Sequence, residues 1–483
     1  MNTTLLAFVV LYLLGTMAIG IYAGTRIHNT TDFAVAGRSL PLAMVITTTF
    51  ATWFGAETVM GIPARFAEGG LNAIVEDPFG ASMCLVLVGA FFAARLYKMS
   101  LLTIGDFYRH RFGKGVEIFC SVAVILSYLG WVAAQITALG LVFSVLSGGA
   151  ISAATGMIIG TTLVLIYVMI GGMLAVAWTD FIQMIVLVVG LSFIAIMAGG
   201  QAGGADKVLV LAQEKNWFQF FPAEPTPANW IGFIAAGLTM LLGSIPQQDV
   251  FQRVMSAKDA GTARKGAMIG GFCYLAFAFV PMFIVASALI IMPEQTQALL
   301  ANDPQKVLPT LILTKMPLVA QIFFFGALVS AIKSTSSATL LAPSTSFVEN
   351  ILKNLRPGMS DQQMLRALRI TILIFTALVL TYAIKMQGTT IYELVSSAYQ
   401  VTLVGAFVPL SFGLYWRRAT TQGAVASIVL GIGVWAAFLL EPAWGEAFPG
   451  QLAGLLAAIA GMIGGSLAPQ FMTDHRTHLE HMA

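Results

Sequence analysis

The segment ATWFGAETVMGIP at residues 51–63 decides the fold, because it interrupts an apolar stretch with helix-breaking residues and a carboxylate. Gly55, Glu57 and Gly61 lie within it, and Pro63 ends it. Backbone breaks at membrane depth are tolerated only where the freed amide and carbonyl groups face protein, water or a ligand. We therefore predict a discontinuous helix here, with an ordinary kinked helix as the alternative.

The composition places this segment in an integral membrane protein. Of the 483 residues, 58% are hydrophobic and only 10% are charged, whereas a soluble domain carries about 25% charged residues. The net charge of +3 gives no reason to expect a nucleic-acid partner. A membrane helix needs about 20 mostly apolar residues. We predict an all-α integral membrane protein with thirteen transmembrane helices, at residues 3–24, 40–62, 79–97, 116–147, 151–171, 177–199, 229–247, 266–292, 317–347, 367–386, 391–415, 421–440 and 449–470.

A second interrupted segment, LLGSIPQQDVFQRV at residues 241–254, lies at the seventh predicted span and contains Gly243 and Pro246. Proline removes an internal hydrogen bond and clashes with the preceding turn, so we predict a break at residues 244–246. The two interrupted spans, the second and the seventh, are five apart. Paired interruptions at corresponding positions indicate the binding site of a secondary transporter.

The charges between the spans predict the orientation. With the N-terminus outside, eighteen of the 25 lysines and arginines lie in inner segments, six lie in outer segments, and Lys333 lies within a span. This bias follows the positive-inside rule. We predict a multi-pass protein of the plasma membrane, or of the inner membrane if the source is bacterial, with the N-terminus outside and the C-terminus cytoplasmic.

Three ionisable residues stand out within the predicted spans, namely Glu57, Asp180 in AVAWTDFIQ, and Lys333. Such residues are costly in lipid and usually mark a transport pathway or a bound ion. Each could instead belong to a structural pair or lie at the membrane interface.

Hydroxyl groups are concentrated in GALVSAIKSTSSATLLAPST, residues 326–345 of the ninth predicted span. A helix turns about 100° per residue, so one face is shared by Ala331, Ser334, Thr335, Ala338 and Ala342. This small, hydroxylated face would let two helices approach closely. It would equally offer two hydroxyl oxygens to a desolvated Na⁺, with carbonyl groups of a broken helix as further ligands. The residues alone leave both interpretations open.

Five motifs, in order along the chain, resemble those of the sodium/solute symporter family. They are DFAVAGRSLP, TIGDFYRHRFG, GGMLAVAWTDFIQ, IPQQDVFQRVMSAK and SAIKSTSSATLLAPSTSFVENI. The similarity extends over nearly the whole chain and is strongest to the high-affinity choline transporter branch. The family comprises sodium-coupled carriers of proline, glucose, sialic acid, pantothenate and choline.

The resemblance implies one transporter domain over residues 1–483, built on an inverted repeat of five plus five helices. Residues 40–200 would form the first repeat and residues 229–415 the second, with an extra N-terminal span at 3–24 and two C-terminal spans at 421–470. The implied activity couples inward Na⁺ movement to solute uptake by alternating access. It requires no catalysis, no organic cofactor and no obligate protein partner.

The resemblance also implies a sodium site between the second and ninth spans. Its ligands would be the carbonyl groups of Ala51, Phe54 and Ala331 and the hydroxyl groups of Ser334 and Thr335. Some relatives hold a second sodium ion, which here would use Asp180 and Ser337. Ala338 replaces a further serine of that second site and weakens the case for it.

Lys333 departs from the family pattern, which has an apolar residue at this position. Helical geometry turns it about 160° away from Thr335. It could pair with Asp180 or Glu57, reach a water path, or act as a tethered cation that weakens sodium dependence. We therefore assign Lys333 and Asp180 to coupling or gating. If Lys333 reached the ion site, transport would be proton-coupled or uncoupled.

The solute would bind at mid-membrane between the two breaks. The candidate contacts are Trp53, Glu57, Thr58, Trp131, Gln135, Gln247, Gln248 and Tyr399. Trp53 and Trp131 match tryptophans with which the choline branch encloses a quaternary ammonium by cation–π attraction, although Trp131 could be a packed core residue. Ala81 and Gln247 replace further aromatic residues of that branch. We therefore favour a small polar or zwitterionic organic solute over choline.

Three other classes fit the sequence less well. A membrane sensor built on a transporter scaffold would need a cytoplasmic signalling domain, and none is expected. A membrane enzyme would need a His/Glu metal cluster or an Asp-rich motif within the spans. A channel would need a repeated selectivity loop. We therefore predict a transporter and not an enzyme.

Overall fold

The computed structural model describes residues 3–473, so the C-terminal tail, for which a cytoplasmic position is predicted, lies outside the described residues. Within residues 3–473 the chain forms 23 α-helices and no β-strand. Leu40 and Ala257 form an isolated parallel bridge. The predicted all-helical class is confirmed.

The helices follow one another with short connections. The first ten are α1 (Thr3–Gly24), α2 (Thr30–Val35), α3 (Leu42–Phe50), α4 (Ile62–Gly69), α5 (Ala81–Leu87), α6 (Ala93–Lys98), α7 (Ile104–Phe112), α8 (Lys114–Leu146), α9 (Ala153–Gln201) and α10 (Ala205–Glu214). The next seven are α11 (Pro227–Gly243), α12 (Gln248–Met255), α13 (Ala260–Ile291), α14 (Pro293–Asn302), α15 (Val307–Lys315), α16 (Leu318–Ser346) and α17 (Lys353–Leu355). The last six are α18 (Asp361–Lys385), α19 (Ile391–Thr402), α20 (Val408–Tyr415), α21 (Thr421–Leu440), α22 (Pro442–Ala447) and α23 (Gly450–Leu467).

Short π-helical and 3₁₀ segments join several of these α-helices into longer helical stretches. The π-helical turns are Glu57–Gly61, Val75–Gly80, Val88–Phe92, Phe347–Leu352 and Leu403–Phe407. The 3₁₀ turns are Ala36–Arg38, Gly70–Ile74 and Pro304–Lys306. Single π-helical turns inside α-helices are frequent at functional sites, and the first of them directly follows the interrupted segment at residues 51–55.

Ten helical stretches among the described residues are long and apolar enough to cross a membrane, and the bent pair α11–α12 makes an eleventh. This grouping differs from the prediction in two places. Glu57–Lys98 passes as one stretch where two spans, 40–62 and 79–97, are predicted. Ala153–Met169 is apolar but shorter than a full span. The count of thirteen and the inverted repeat therefore stay predictions.

Both predicted helix breaks are confirmed. α3 ends at Phe50, and residues 51–55 form turns before the helix resumes. In that turn the Gly55 amide donates to the Trp53 carbonyl oxygen at 2.7 Å. α11 and α12 meet at an angle of 48° across residues 244–247, where Pro246 lies.

α9 is divided within its length at Gly172. This residue has φ 51° and ψ −158°, a conformation that side-chain-bearing residues rarely adopt. A Cβ atom here would also lie 2.8 Å from the carbonyl oxygen of Phe33. Glycine at this position therefore allows α9 to change direction against the segment that follows α1.

α16 lies at the centre of the molecule, since every residue from Phe324 to Ser346 is buried. In an 18-residue apolar window of Leu318–Leu355, 72% of the residues are buried, against 28% in the corresponding windows of α1, α21 and α23. α16 packs against α9, α8 and α1. The hydroxyl-rich stretch at residues 326–345 therefore faces other helices and not lipid.

Candidate functional site

The break after α3 meets the middle of α16. The Thr335 hydroxyl oxygen lies 3.4 Å from the carbonyl oxygen of Ala51. A Cβ atom on Gly55 would lie 2.9 Å from the Thr335 hydroxyl oxygen, so glycine at this position leaves room for the approach of α16. The two segments that were predicted to supply sodium ligands are therefore adjacent at these residues.

The other two backbone groups proposed for sodium belong to Phe54 and Ala331, and both residues are buried. The Phe54 ring stacks on the Phe50 ring with a centroid distance of 4.9 Å. Ala331 lies about one helical turn before Thr335 on α16. The use of their carbonyl groups as sodium ligands stays a prediction.

Ser334 contacts a different partner from Thr335. Its hydroxyl donates to one carboxylate oxygen of Asp180. The other oxygen of Asp180 accepts a hydrogen bond from the Thr48 hydroxyl at 2.7 Å and lies 3.8 Å from the Arg253 guanidinium. Asp180 is thus a buried carboxylate that links α9 to α3, α12 and α16. Its partner on α16, Ser334, is itself one of the proposed sodium ligands.

Ser337 is not hydrogen-bonded to Asp180. Its hydroxyl donates to the Lys333 carbonyl oxygen of its own helix at 2.7 Å. Hydroxyl groups that bond back to the preceding turn are common in helices. The second sodium site that combines Asp180 and Ser337 therefore has no direct contact between its two members in this structure.

Lys333 points away from the break, as helical geometry predicts. Its ammonium donates to the Thr16 hydroxyl of α1 at 2.8 Å and lies 4.2 Å from the centre of the Tyr167 ring of α9. Among the described residues, no carboxylate lies within ion-pair distance of it. Neither of the ion pairs considered for Lys333, with Asp180 or with Glu57, is formed.

Glu57 lies at the centre of a group of buried side chains from the break, α8 and α19. Its two carboxylate oxygens accept hydrogen bonds from the Trp131 indole at 3.3 Å and from the Gln135 amide at 2.6 Å. The Trp53 indole donates to the Tyr399 hydroxyl at 2.7 Å, and the Trp131 and Tyr399 rings lie 5.4 Å apart between centroids.

Thr58 belongs to the same group, because its hydroxyl donates to the Trp53 carbonyl oxygen at 2.7 Å. The structure therefore brings together six of the eight residues predicted to contact the solute. We call this set the Glu57 cluster, and its members are Trp53, Glu57, Thr58, Trp131, Gln135 and Tyr399.

The two glutamines after the second break lie in different places. Gln247 donates from its side-chain amide to Ser127 at 3.0 Å and to Thr402 at 3.3 Å, and the Thr402 hydroxyl lies 3.2 Å from the carbonyl oxygen of Tyr399, at the border of the Glu57 cluster. Gln248 lies elsewhere, since its side-chain oxygen accepts from the Ile104 amide at 2.8 Å. The first amides of a helix lack partners within it, and Gln248 supplies one at the start of α7.

A cavity of about 540 Å³ lies beside the Glu57 cluster. Its lining includes Gly61 from the interrupted span and Gln400, which follows Tyr399 on α19. The lining also includes Glu76, which accepts from the Ser396 hydroxyl at 2.8 Å.

Asp77 and Tyr274 are two buried residues that were not predicted from the sequence to belong to a site. The Tyr274 hydroxyl donates to Asp77 at 2.6 Å and lies 2.9 Å from the Thr58 hydroxyl. Asp77 stands next to Glu76, so these contacts connect the cavity to the cluster. The sequence feature that could have indicated Asp77 is the pair of adjacent carboxylates in VEDPFG. Both carboxylates lie between the predicted spans 40–62 and 79–97, so they were taken as part of a polar connection.

Arg253 is one of the eighteen cations that the charge count assigns to inner segments, and the structure places it in α12. Arg253 is 0% exposed, and its guanidinium lies 3.4 Å from Asp249 and 3.8 Å from Asp180. The spacing of Asp249 and Arg253, four residues apart on α12, could have indicated this pair.

Comparison with known protein families gives a match along most of the chain. The family model described as "Sodium:solute symporter family" matches residues 33–431. The human High affinity choline transporter 1 is 27% identical over 445 residues, covering 89% of this chain and 75% of that protein. The High-affinity proline transporter PutP of Bacillus subtilis (strain 168) is 26% identical over 472 residues, covering 95% of this chain and 98% of that protein.

Solved structures give the same fold. A Na⁺-coupled sialic acid symporter in a substrate-bound outward-open state matches with a TM-score of 0.82 and 21% identity, covering 97% of this chain and 99% of that one. Mhp1, a nucleobase-cation-symport-1 family transporter in a closed conformation, matches with a TM-score of 0.57 and 14% identity, covering 93% of this chain and 98% of that one.

Proposed function

Because the chain belongs to the sodium:solute symporter family, we propose that it uses inward Na⁺ movement to take up a small polar or zwitterionic organic solute. The observation that supports a sodium site is the distance of 3.4 Å between the Thr335 hydroxyl oxygen and the Ala51 carbonyl oxygen. One group comes from an interrupted helix and the other from the central helix. Half-unwound helices of this kind offer carbonyl oxygens to alkali cations in secondary transporters.

The proposed sodium ligands are the carbonyl oxygens of Ala51, Phe54 and Ala331 and the hydroxyl oxygens of Ser334 and Thr335. The hydrogen bond from Ser334 to Asp180 is compatible with this role, because a hydroxyl that donates one bond retains lone pairs for a cation. Asp180 would add negative charge close to the ion. Asp180 and Ser337 would contribute to a second site only if Ser337 gave up its bond to its own helix.

The proposed architecture is an inverted repeat of residues 40–200 and 229–415 within thirteen spans, with the N-terminus outside. The two helix breaks, at residues 51–55 and 244–247, support it because they fall five predicted spans apart. Alternating access would then move one repeat-derived bundle against the other around the fixed site.

The Glu57 cluster is the proposed solute site, with Gln247 at its border and Gln248 outside it. A quaternary ammonium such as choline is the second candidate solute. It is favoured by the Trp53, Trp131 and Tyr399 rings, since aromatic faces attract organic cations.

The test of the proposed function is uptake by the purified full chain in proteoliposomes. We expect radiolabelled proline, glycine betaine or choline to accumulate when Na⁺ is outside and K⁺ inside. With equal Na⁺ on both sides, the solute should equilibrate without accumulating. Accumulation of equal size without the sodium gradient would contradict sodium coupling.

Lys333 is expected to be dispensable for sodium coupling. Replacing it with methionine, Lys333→Met, removes a buried charge whose described contacts are Thr16 and Tyr167. Removing one member of a buried ion pair is costly because it strands the other charge, but no carboxylate among the described residues is paired with Lys333, so we expect little loss of stability. The measurement is the sodium dependence of uptake and the melting temperature. A tenfold change in the sodium concentration for half-maximal uptake, about 1.4 kcal/mol, would instead place Lys333 in coupling.

A further inference from the structure

Glu57 is a fully buried carboxylate without a basic partner. It is 0% exposed, and none of the ion pairs formed among residues 3–473 includes it. Its hydrogen-bond donors, the Trp131 indole and the Gln135 amide, are both neutral. The carboxylates of Asp180 and Asp249, by contrast, both face Arg253.

The orientation of the Gln135 side chain makes the Glu57 carboxylate a hydrogen-bond acceptor. The side-chain oxygen of Gln135 accepts from the Ala56 amide at 3.2 Å, so its amino group must face Glu57. Both carboxylate oxygens therefore meet N–H donors, which is the pattern that suits the ionised form. Gln135 is occupied in positioning Glu57 and is not a free contact for a solute carboxylate.

A buried charge that lacks a partner carries a large free-energy cost. Two neutral hydrogen bonds offset only part of it. Ionisable groups inside membrane proteins are usually retained because they bind a substrate or an ion. A cation from outside the chain would supply the partner that Glu57 lacks among the described residues.

The surroundings of Glu57 favour an organic cation over a metal ion. The Trp131 indole donates to this carboxylate at 3.3 Å, the Tyr399 ring lies 5.4 Å from the Trp131 ring, and the Trp53 indole donates to the Tyr399 hydroxyl. Aromatic faces attract ammonium groups by cation–π interaction. They offer no oxygen lone pairs of the kind that a hard metal cation needs.

We propose that the transported solute carries a positively charged amino or ammonium group, which binds against the Glu57 carboxylate beside the Trp53, Trp131 and Tyr399 side chains. The inference rests on the proposed function, because it assigns the solute of that same site. It excludes sugars, uncharged polyols and simple carboxylates as the principal solutes. It also gives Glu57 the role of a specificity-determining residue.

The test compares amines with carbon isosteres that have the same shape and lack the positive charge. The three pairs are proline with cyclopentanecarboxylate, glycine betaine with 3,3-dimethylbutanoate, and choline with 3,3-dimethylbutan-1-ol. The readout is thermal stabilisation of the purified full chain in Na⁺, titrated with each compound. We expect at least one amine to stabilise the protein, and its isostere to bind about tenfold more weakly or worse, as when one partner of a buried charge pair is lost.

The matched variants are Glu57→Gln, which keeps the shape and removes the charge, and Glu294→Gln at an exposed position of α14. Glu57→Gln should lose the preference for the amine, and Glu294→Gln should keep it. If Glu57→Gln does not fold, the isostere comparison in the unsubstituted chain decides the question.

Two results would overturn the inference. One is stabilisation by the isosteres as strong as that by the amines, and the other is no stabilisation by any of the three amines. Retention of the amine preference in a folded Glu57→Gln variant would remove the role of Glu57. Failure of the proposed function looks different, since amine binding that is equal in Na⁺ and K⁺ would contradict sodium coupling and leave the amine inference intact.

Discussion

Replacing Thr335 with alanine is expected to abolish the stabilisation of the protein by sodium, with little effect on its melting temperature in potassium. The substitution removes the side-chain oxygen that lies 3.4 Å from the Ala51 carbonyl oxygen at the helix break. A ligand that binds only the folded state stabilises it by about 2.7 kcal/mol at a hundredfold excess over its Kd. The difference in melting temperature between Na⁺ and K⁺ measures this effect, and sodium-driven uptake should fall to background.

Two further variants separate ion binding from packing. Thr335→Ser keeps the hydroxyl and should retain most of the sodium effect. Thr376→Ala is the matched control, because Thr376 is also buried but its hydroxyl donates to the Ile372 carbonyl oxygen of its own helix at 2.6 Å. If the difference in melting temperature between Na⁺ and K⁺ is unchanged in Thr335→Ala, Thr335 is not a sodium ligand.

The parts of the fold that the sequence predicted are those with local signals. Glycine and proline mark both helix breaks because they change what the backbone can do wherever they occur. The small, hydroxylated face of residues 326–345 follows from helical periodicity alone. Periodicity also placed Lys333 on the side of α16 away from Thr335, and the contact with Thr16 agrees with that direction.

The parts that the sequence did not predict depend on partners far away along the chain. Asp180 and Arg253 meet from α9 and α12, and Asp77 meets Tyr274 from across the molecule. A short polar segment that folds back into the protein core has the same composition as a polar loop, so composition alone does not distinguish the two. This is why the partners of Arg253 were not predicted, and why the carboxylates of VEDPFG were assigned to a connection between spans.

Helical periodicity also cannot distinguish between neighbours on the same face. Ser334 and Thr335 are adjacent, yet Ser334 donates to Asp180 while Thr335 approaches Ala51. Which hydroxyl meets which partner depends on how α9 and α3 pack against α16. That packing is set by side chains distributed over several helices.

Replacing Arg253 with methionine is expected to destabilise the protein severely. The Arg253 guanidinium lies between the buried carboxylates of Asp249 and Asp180, and its Nε donates to the Thr48 hydroxyl at 3.3 Å. Arg253→Met would leave two carboxylates without a counter-charge in a site closed to solvent. Removing one partner of a buried ion pair typically costs about 3–5 kcal/mol, and the measurement is the melting temperature in detergent.

The control for surface effects is Arg366→Met, at an exposed position of α18, which should melt close to the unsubstituted chain. A compensating change supplies the sharper test. Adding Asp180→Asn to Arg253→Met removes one of the two stranded charges, so the double variant should melt higher than Arg253→Met alone. If neutralising Asp180 brings no recovery, or if Arg253→Met melts like the unsubstituted chain, the three charges do not act as one unit.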